Sequence, residues 1–394
     1  MRSFIRNFIA AAVIAVAAVP AMVLADDDDS SARRDLYVVS PLVSNLTGTA
    51  STQDPVLQNA WGIAFSPAGS PFWVNDNQNG CSTLYLGNGT KIGLQVSIPL
   101  PGNVVPAGSC HAVDPKNPLN PAPAAPTGII WNPSASFLVP GTTIPAVFIF
   151  ATEDGTLSAW AGGLSPPTNA ALAVDNSVTP TAAAGAVYKG LVFGLSAKGG
   201  LLYATNFRGG TVDVFGPGVS GGKYTPVATD GGFVDPRMPA GYAPFGIANI
   251  DGDLFVSYAK QNAAKHDDEA GPGRGFVDVF DTDGHLLRRF ASGGTLDSPW
   301  GMTRASFAFG GLSGKILIGN FGNGHISAFD NDGRFIGELK DTRDRPIAID
   351  GLWDLTLGGG GSSSSDTLYF SAGPNAETNG LFGTITPTVS PAEF

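Results

Sequence analysis

The sequence predicts an all-β, six-bladed β-propeller with four-stranded blades. Three observations predict it: a recurring hairpin, short apolar runs separated by Gly and Asn/Asp turns, and Trp-Gly or Phe-Gly pairs returning about every 50 residues. The hairpin is clearest at Asn320-Phe321-Gly322-Asn323-Gly324-His325-Ile326-Ser327-Ala328-Phe329. It is repeated as Asn206-Phe207-Arg208-Gly209-Gly210-Thr211-Val212-Asp213-Val214-Phe215, and more faintly from Glu153 to Trp160 and from Gly275 to Gly284. Gly supplies the left-handed turn positions, and Asn or Asp bonds its own backbone there. With 53 Gly and 30 Pro punctuating the apolar runs, the pattern is one of strands and turns rather than helix.

In chain order, a solitary strand is expected at Asp35 to Val43. The first repeat opens at Ala60-Trp61-Gly62-Ile63 and continues through Phe72 to Asn75, Ser82 to Leu86 and Lys91 to Leu100. The second begins at Gly128-Ile129-Ile130-Trp131, with strands at Ala146 to Thr152 and Thr156 to Ala161, and a loop expected from Ser165 to Gly185. Later repeats start at Gly190, Pro244-Phe245-Gly246, Pro299-Trp300-Gly301 and Gly351-Leu352-Trp353. The sixth shows three strands, so the solitary N-terminal strand is expected to complete it and close the ring, removing an open edge. A seventh blade would have to hide in Pro101 to Ala125 or Ser165 to Gly185, both poor in β-type runs.

Residues 1–25 carry Arg2 and Arg6, an apolar stretch and Val23-Leu24-Ala25, the layout of a cleaved export signal; a retained anchor is the alternative. The expected division is signal 1–25, acidic tail 26–34, propeller 35–387 and C-terminal tail 388–394. The expected location is exported, periplasmic or extracellular, with no integral membrane segment after cleavage. With 22 basic against 33 acidic residues and no basic run, nucleic acid is an unfavourable partner. Cys81 and Cys110 are the only cysteines. A structural disulfide is expected in an oxidising compartment, two separate reduced thiols being the alternative.

Residues following the second strand of each blade converge on one mouth of a propeller channel. Here these are Asp76, Glu153, Asn206, Lys260, Asn320 and Asn375 or Glu377. Asp76, Glu153, Asn206, Asn320 and Glu377 are the candidate metal ligands, for calcium or another divalent cation. The alternative is that they are turn residues capping their own backbone. Of the four histidines, His285 and His325 follow turn glycines and are expected on strand surfaces. His111 and His266 sit in long loops from which a ligand or acid–base role is open. Asp281-Thr282-Asp283-Gly284 and Asp330-Asn331-Asp332-Gly333 lack the downstream Glu of a calcium loop and are hairpin turns. Gly358 to Ser365 is flexible in composition, and Ala264 to Glu269 is expected to be a polar surface loop.

The phrases Leu57-Gln58-Asn59-Ala60-Trp61-Gly62, Pro244-Phe245-Gly246-Ile247, Ser298-Pro299-Trp300-Gly301, Gly351-Leu352-Trp353 and Ala372-Gly373-Pro374-Asn375 resemble a bacterial exported family of uncharacterised function, itself similar to NHL-type propellers. The resemblance implies fold and export and carries no reaction. The Pro-Glu-Pro sorting segment of some members is not present before Phe394. The function expected first is a binding or scaffold module for a protein, glycan or small molecule. The alternative is a metal-dependent hydrolase or lactonase acting at the channel mouth.

Overall fold

The computed structural model describes residues 36–388, apart from 115 and 360–362. The expected signal, acidic tail and last residues lie outside the described ones. Six antiparallel sheets follow one another along the chain, each a meander stepping from an inner to an outer strand. The inner strands are Ala60–Ala64, Pro126–Trp131, Tyr188–Ser196, Tyr242–Ile250, Pro299–Arg304 and Leu352–Leu357. The next strands outward are Phe72–Asp76, Phe148–Thr152, Gly199–Asn206, Asp253–Lys260, Ile316–Asn320 and Leu368–Ala372.

Blade 6 takes its third strand from Leu381–Pro387 and its fourth from Leu36–Ser44. Val38 lies opposite Thr386 and Val39 opposite Ile385, with a bulge between Pro41 and Val43. Pro41 has no N–H to offer the ladder, so the register breaks there. The closing strand is itself flanked by the short parallel pieces Thr52–Gln53 and Lys340–Asp341. One expectation needs correction. Ala171–Asp175, inside the presumed loop from Ser165 to Gly185, is the outer strand of blade 2. It pairs on one side only through a bulge between Leu172 and Val174, so its alternation is too short to stand out.

The apolar core lies between blades. Ile149, Ala151 and Leu157 of blade 2 pack with Leu191, Leu202 and Phe215 of blade 3, and equivalent clusters fill the other seams. Around the axis the inner strands stack in register. One tier contains Trp61, Thr127, Lys189, Phe245, Trp300 and Trp353; the next Gly62, Gly128, Gly190, Gly246, Gly301 and Asp354; the third Ile63, Ile129, Leu191, Ile247, Met302 and Leu355. The glycine tier has a steric cause. A Cβ on Gly246 would lie 2.1 Å from the carbonyl oxygen of Trp300, and one on Gly62 would lie 2.6 Å from that of Thr127.

Side chains tie successive inner strands together. The Thr205 hydroxyl accepts the Gly190 N–H at 2.7 Å and donates to the Phe245 carbonyl at 2.7 Å. Ser257 links Gly246 to Pro299 in the same way, and Ser371 links Asp354 to Trp61. Asn75 bonds the Thr127 carbonyl, and Thr127 in turn bonds that of Tyr188. At the blade 5 to blade 6 seam the corresponding residue is Gly319, which packs against Leu352 and Leu355 instead.

Candidate active site

The second strands all end at the same side of the ring, so the loops that follow them surround one channel mouth. Its floor is the aromatic tier. Trp61 stacks on Trp353 with centroids 3.5 Å apart, Phe321 stacks on the same ring at 4.0 Å, and Trp300 meets both tryptophans edge-on at 5.9 Å. Trp61 and Trp353 are buried, so the tier plugs the channel beneath the polar rim.

Glu153 follows the second strand of blade 2 and enters the rim. Its Oε2 accepts from Asn77 Nδ2 at 3.0 Å, while Oε1 is ion-paired with Lys189, which rises from the tier below. The excursion after Lys260 folds over this pair. A bridge between Gln261 and Asp268 pins it, Asn262 N–H donates to the Asp267 carbonyl at 2.8 Å, and Ser298 donates to the Asp268 carboxylate. His266 and Asp267 are thereby brought to Glu153. Ligand atoms of the three lie within 4.8 Å of one another, so the group can hold a metal ion. His266 Nδ1 sits 2.7 Å from Asp267 Oδ1. That bond, chiefly, holds the Asp267 carboxyl down at about 2, with Lys189 assisting.

Glu377 completes the rim from blade 6. Asn375, Ala376 and Glu377 have φ of 58°, 52° and 64°, three successive left-handed residues without a glycine. Such positions cost on the order of 1 kcal/mol each and persist where the surroundings impose them. Here the turn presents Glu377 Oε2 to Asn59 Nδ2 at 2.8 Å, and Asn59 also accepts the Trp353 indole N–H at 3.1 Å. Asn59 reaches Asn77 at 3.2 Å, so Glu377, Asn59, Asn77, Glu153 and Lys189 form one hydrogen-bonded chain. Burial raises the Glu377 carboxyl to about 7, against the lowering bond from Asn59.

Of the other sequence candidates, all but Asp76 have hydrogen-bond or ion-pair partners in or beside their own blades. Asp76 is fully buried beside Thr83 and Tyr85, and burial with the nearby Asp54 charge pushes its carboxyl up. Asn206 accepts the N–H groups of Val187 and Gly209 and donates to Asp213. Asn320 accepts the Asp297 N–H and donates to the His325 carbonyl. Lys260 pairs with Glu269 at 2.6 Å, and the Asn375 N–H donates to Asp350. His285 meets Asp281, His325 meets Glu338, and His111 meets the Ser109 carbonyl. Cys81 and Cys110 form the disulfide, tying the hairpin of blade 1 to the following loop. Asp267, Lys189 and Asn59 were missed. The mixed charge of Lys260 to Arg274 was the signal for the first; the tier alignment would have shown Lys189 as an odd member.

No family model matches the chain. An uncharacterised protein of Acanthamoeba polyphaga mimivirus is 30% identical over 354 residues, spanning 89% of this chain and 85% of that protein. The chain belongs to the family of that viral protein. A second mimivirus relative of this family is 29% identical over 353 residues, 89% of this chain and 80% of its own. The resemblance to an uncharacterised bacterial NHL-type family is thereby corrected: the matched relatives are viral. The soluble aldose sugar dehydrogenase of Escherichia coli is 11% identical, with a TM-score of 0.50 over 89% of this chain and all (100%) of that one. This is a likeness of fold. A gluconolactonase of Xanthomonas campestris has a TM-score of 0.44 at 13% identity, over 84% of this chain and 88% of its own. Among the described residues no helix is long and apolar enough to cross a membrane.

Proposed function

We propose that this protein is an exported, metal-assisted hydrolase acting on lactones or other esters at the channel mouth. The observation that carries the reading is the convergence of Glu153, His266 and Asp267 from two blades, with Glu377 linked to them across the rim. Three carboxylates against the single Lys189 ammonium leave the mouth negative enough for a divalent cation. Two carboxylates and an imidazole suit zinc or manganese better than calcium, whose shell is built of six or more oxygens. Such an ion, when bound, would polarise the substrate carbonyl. Glu377, near 7, is the general base: it takes a proton from water as the water oxygen bonds to the carbonyl carbon. The C–O bond to the leaving alkoxide then breaks, and the proton passes from Glu377 to that oxygen. The aromatic floor excludes water from beneath.

The test is calorimetric titration of the full chain with Zn²⁺, Mn²⁺ and Ca²⁺, followed by a lactone and ester panel. Binding and turnover are expected, with His266→Ala losing the metal. Glu377→Gln should keep the metal and lose about 10²- to 10⁴-fold in kcat. In the wild type, kcat should rise with pH through about 7 as Glu377 loses its proton. A chain that binds none of the three ions and turns nothing over would sink the reading. The ion pair of Lys189 with Glu153 favours the second reading, a metal-free binding module for a protein, glycan or small ligand. That reading expects ligand capture without metal or turnover.

A further inference from the structure

Lys189 is the only charged residue of the axial tier that also holds Trp61, Thr127, Phe245, Trp300 and Trp353. Its side chain is 2% exposed. The ammonium is ion-paired with Glu153 Oε1, lies 3.6 Å from Asp267 Oδ1, and sits 5.2 Å and 5.8 Å from the Trp61 and Phe207 ring centres. A lysine buried among aromatic rings would lose its proton unless anions held it. The anions that hold this one are two of the three residues able to hold a metal. Both carboxylates thus face a positive charge that belongs to the chain.

We infer that Lys189 is the resident cation of the mouth: it competes with an external divalent ion for Glu153 and Asp267 and so sets that ion's affinity. The inference rests on these two residues being metal ligands, and it concerns what limits their binding rather than whether hydrolysis follows. An ion entering against Lys189 meets a like charge about 4 Å away. At the dielectric constant of water that repulsion is worth about a 30-fold loss of affinity for a divalent ion. Arginine at the same position would keep the charge; methionine would keep the bulk and remove it.

The experiment is titration of Zn²⁺ and Mn²⁺ into the intact wild type, Lys189→Met and Lys189→Arg, with circular dichroism to confirm folding. Lys189→Met should bind the ions at least about 30-fold more tightly than wild type, and Lys189→Arg should stay within a few-fold of it. Should Lys189→Met bind an ion that the wild type does not, the inference stands and the metal-assisted reaction fails for the native chain. Equal affinity in Lys189→Met and wild type overturns the inference and leaves the proposed reaction standing. If Lys189→Met does not fold, acetylation of Lys189 in the wild type is read by peptide mass spectrometry with and without saturating Zn²⁺. The inference expects labelling to increase several-fold when the ion displaces the ammonium. Unchanged labelling at saturation overturns it.

Discussion

Asp354 stands where the other five blades have glycine, and its carboxylate is spent on closing the ring. Oδ2 accepts the Ile63 N–H of blade 1 and Oδ1 that of Leu355, both at 2.8 Å. Burial raises its carboxyl to about 6 in spite of these bonds. The sign follows from linkage. The folded state holds this proton up to about pH 6, whereas the unfolded chain releases it near 4, so stability falls as pH rises between those values. A difference of about two pH units makes the effect on the order of 3 kcal/mol. Urea unfolding from pH 4 to 7 should show that decline in the wild type and a correspondingly flatter profile in Asp354→Asn. Identical slopes would show that the group titrates normally. At this scale the sequence was least legible. Glu153 was found because it follows a strand end. His266 was left open because its partners come from another blade. Asp76 and Asn320 end their second strands opposite Ala60 and Pro299, whereas Glu153 lies one residue beyond Thr152, which is opposite Pro126, and one residue of offset turns a side chain to the other face.

Between strands, a hydroxyl in the second strand of blades 3, 4 and 6 explains how those blades keep their spacing from the next. Thr205, Ser257 and Ser371 each accept from their own inner strand and donate to the next. Replacing Ser371 by Ala leaves the Trp61 carbonyl and the Asp354 N–H buried without this partner. A loss of about 1–3 kcal/mol in equilibrium unfolding is expected. Gly319→Ala, at the seam without such a link, meets Leu352 and Leu355 methyl groups at 3.1 Å. It should act through packing and leave the hydrogen bonds intact. Most strands were readable because apolar runs such as Leu254 to Ala259 stand between Gly and Asn/Asp turns. The outer strands Ala171–Asp175 and Thr225–Pro226 were not, since an edge piece bonded on one side needs little alternation to persist.

For the whole molecule, blade number and closure were legible because a ring demands matching units at both ends. Three strands after Gly351 and one before Ala60 admit a simple solution, and the pairing of Leu36–Ser44 with Leu381–Pro387 is that solution. The viral kinship was not legible, since the repeated phrases reflect blade geometry common to many lineages. Deleting residues through Ser44 exposes the edge of Leu381–Pro387 and removes Tyr37 and Val43 from their clusters. The shortened chain should associate or aggregate in size-exclusion chromatography, and a monomer of unchanged unfolding midpoint would show that the ring holds without its latch.

That latch also imposes a timetable. Among the described residues the first strand is the partner of the last, so Leu36–Ser44 must wait while about 340 further residues emerge, roughly half a minute of synthesis at ordinary rates. Blades 1 to 5 can each mature behind the ribosome from neighbouring segments, but the circle is sealed only after Leu381–Pro387 has been released. Throughout that interval the molecule is an open horseshoe with two unsatisfied ends. Whatever shields it from its fellows must act before the seal.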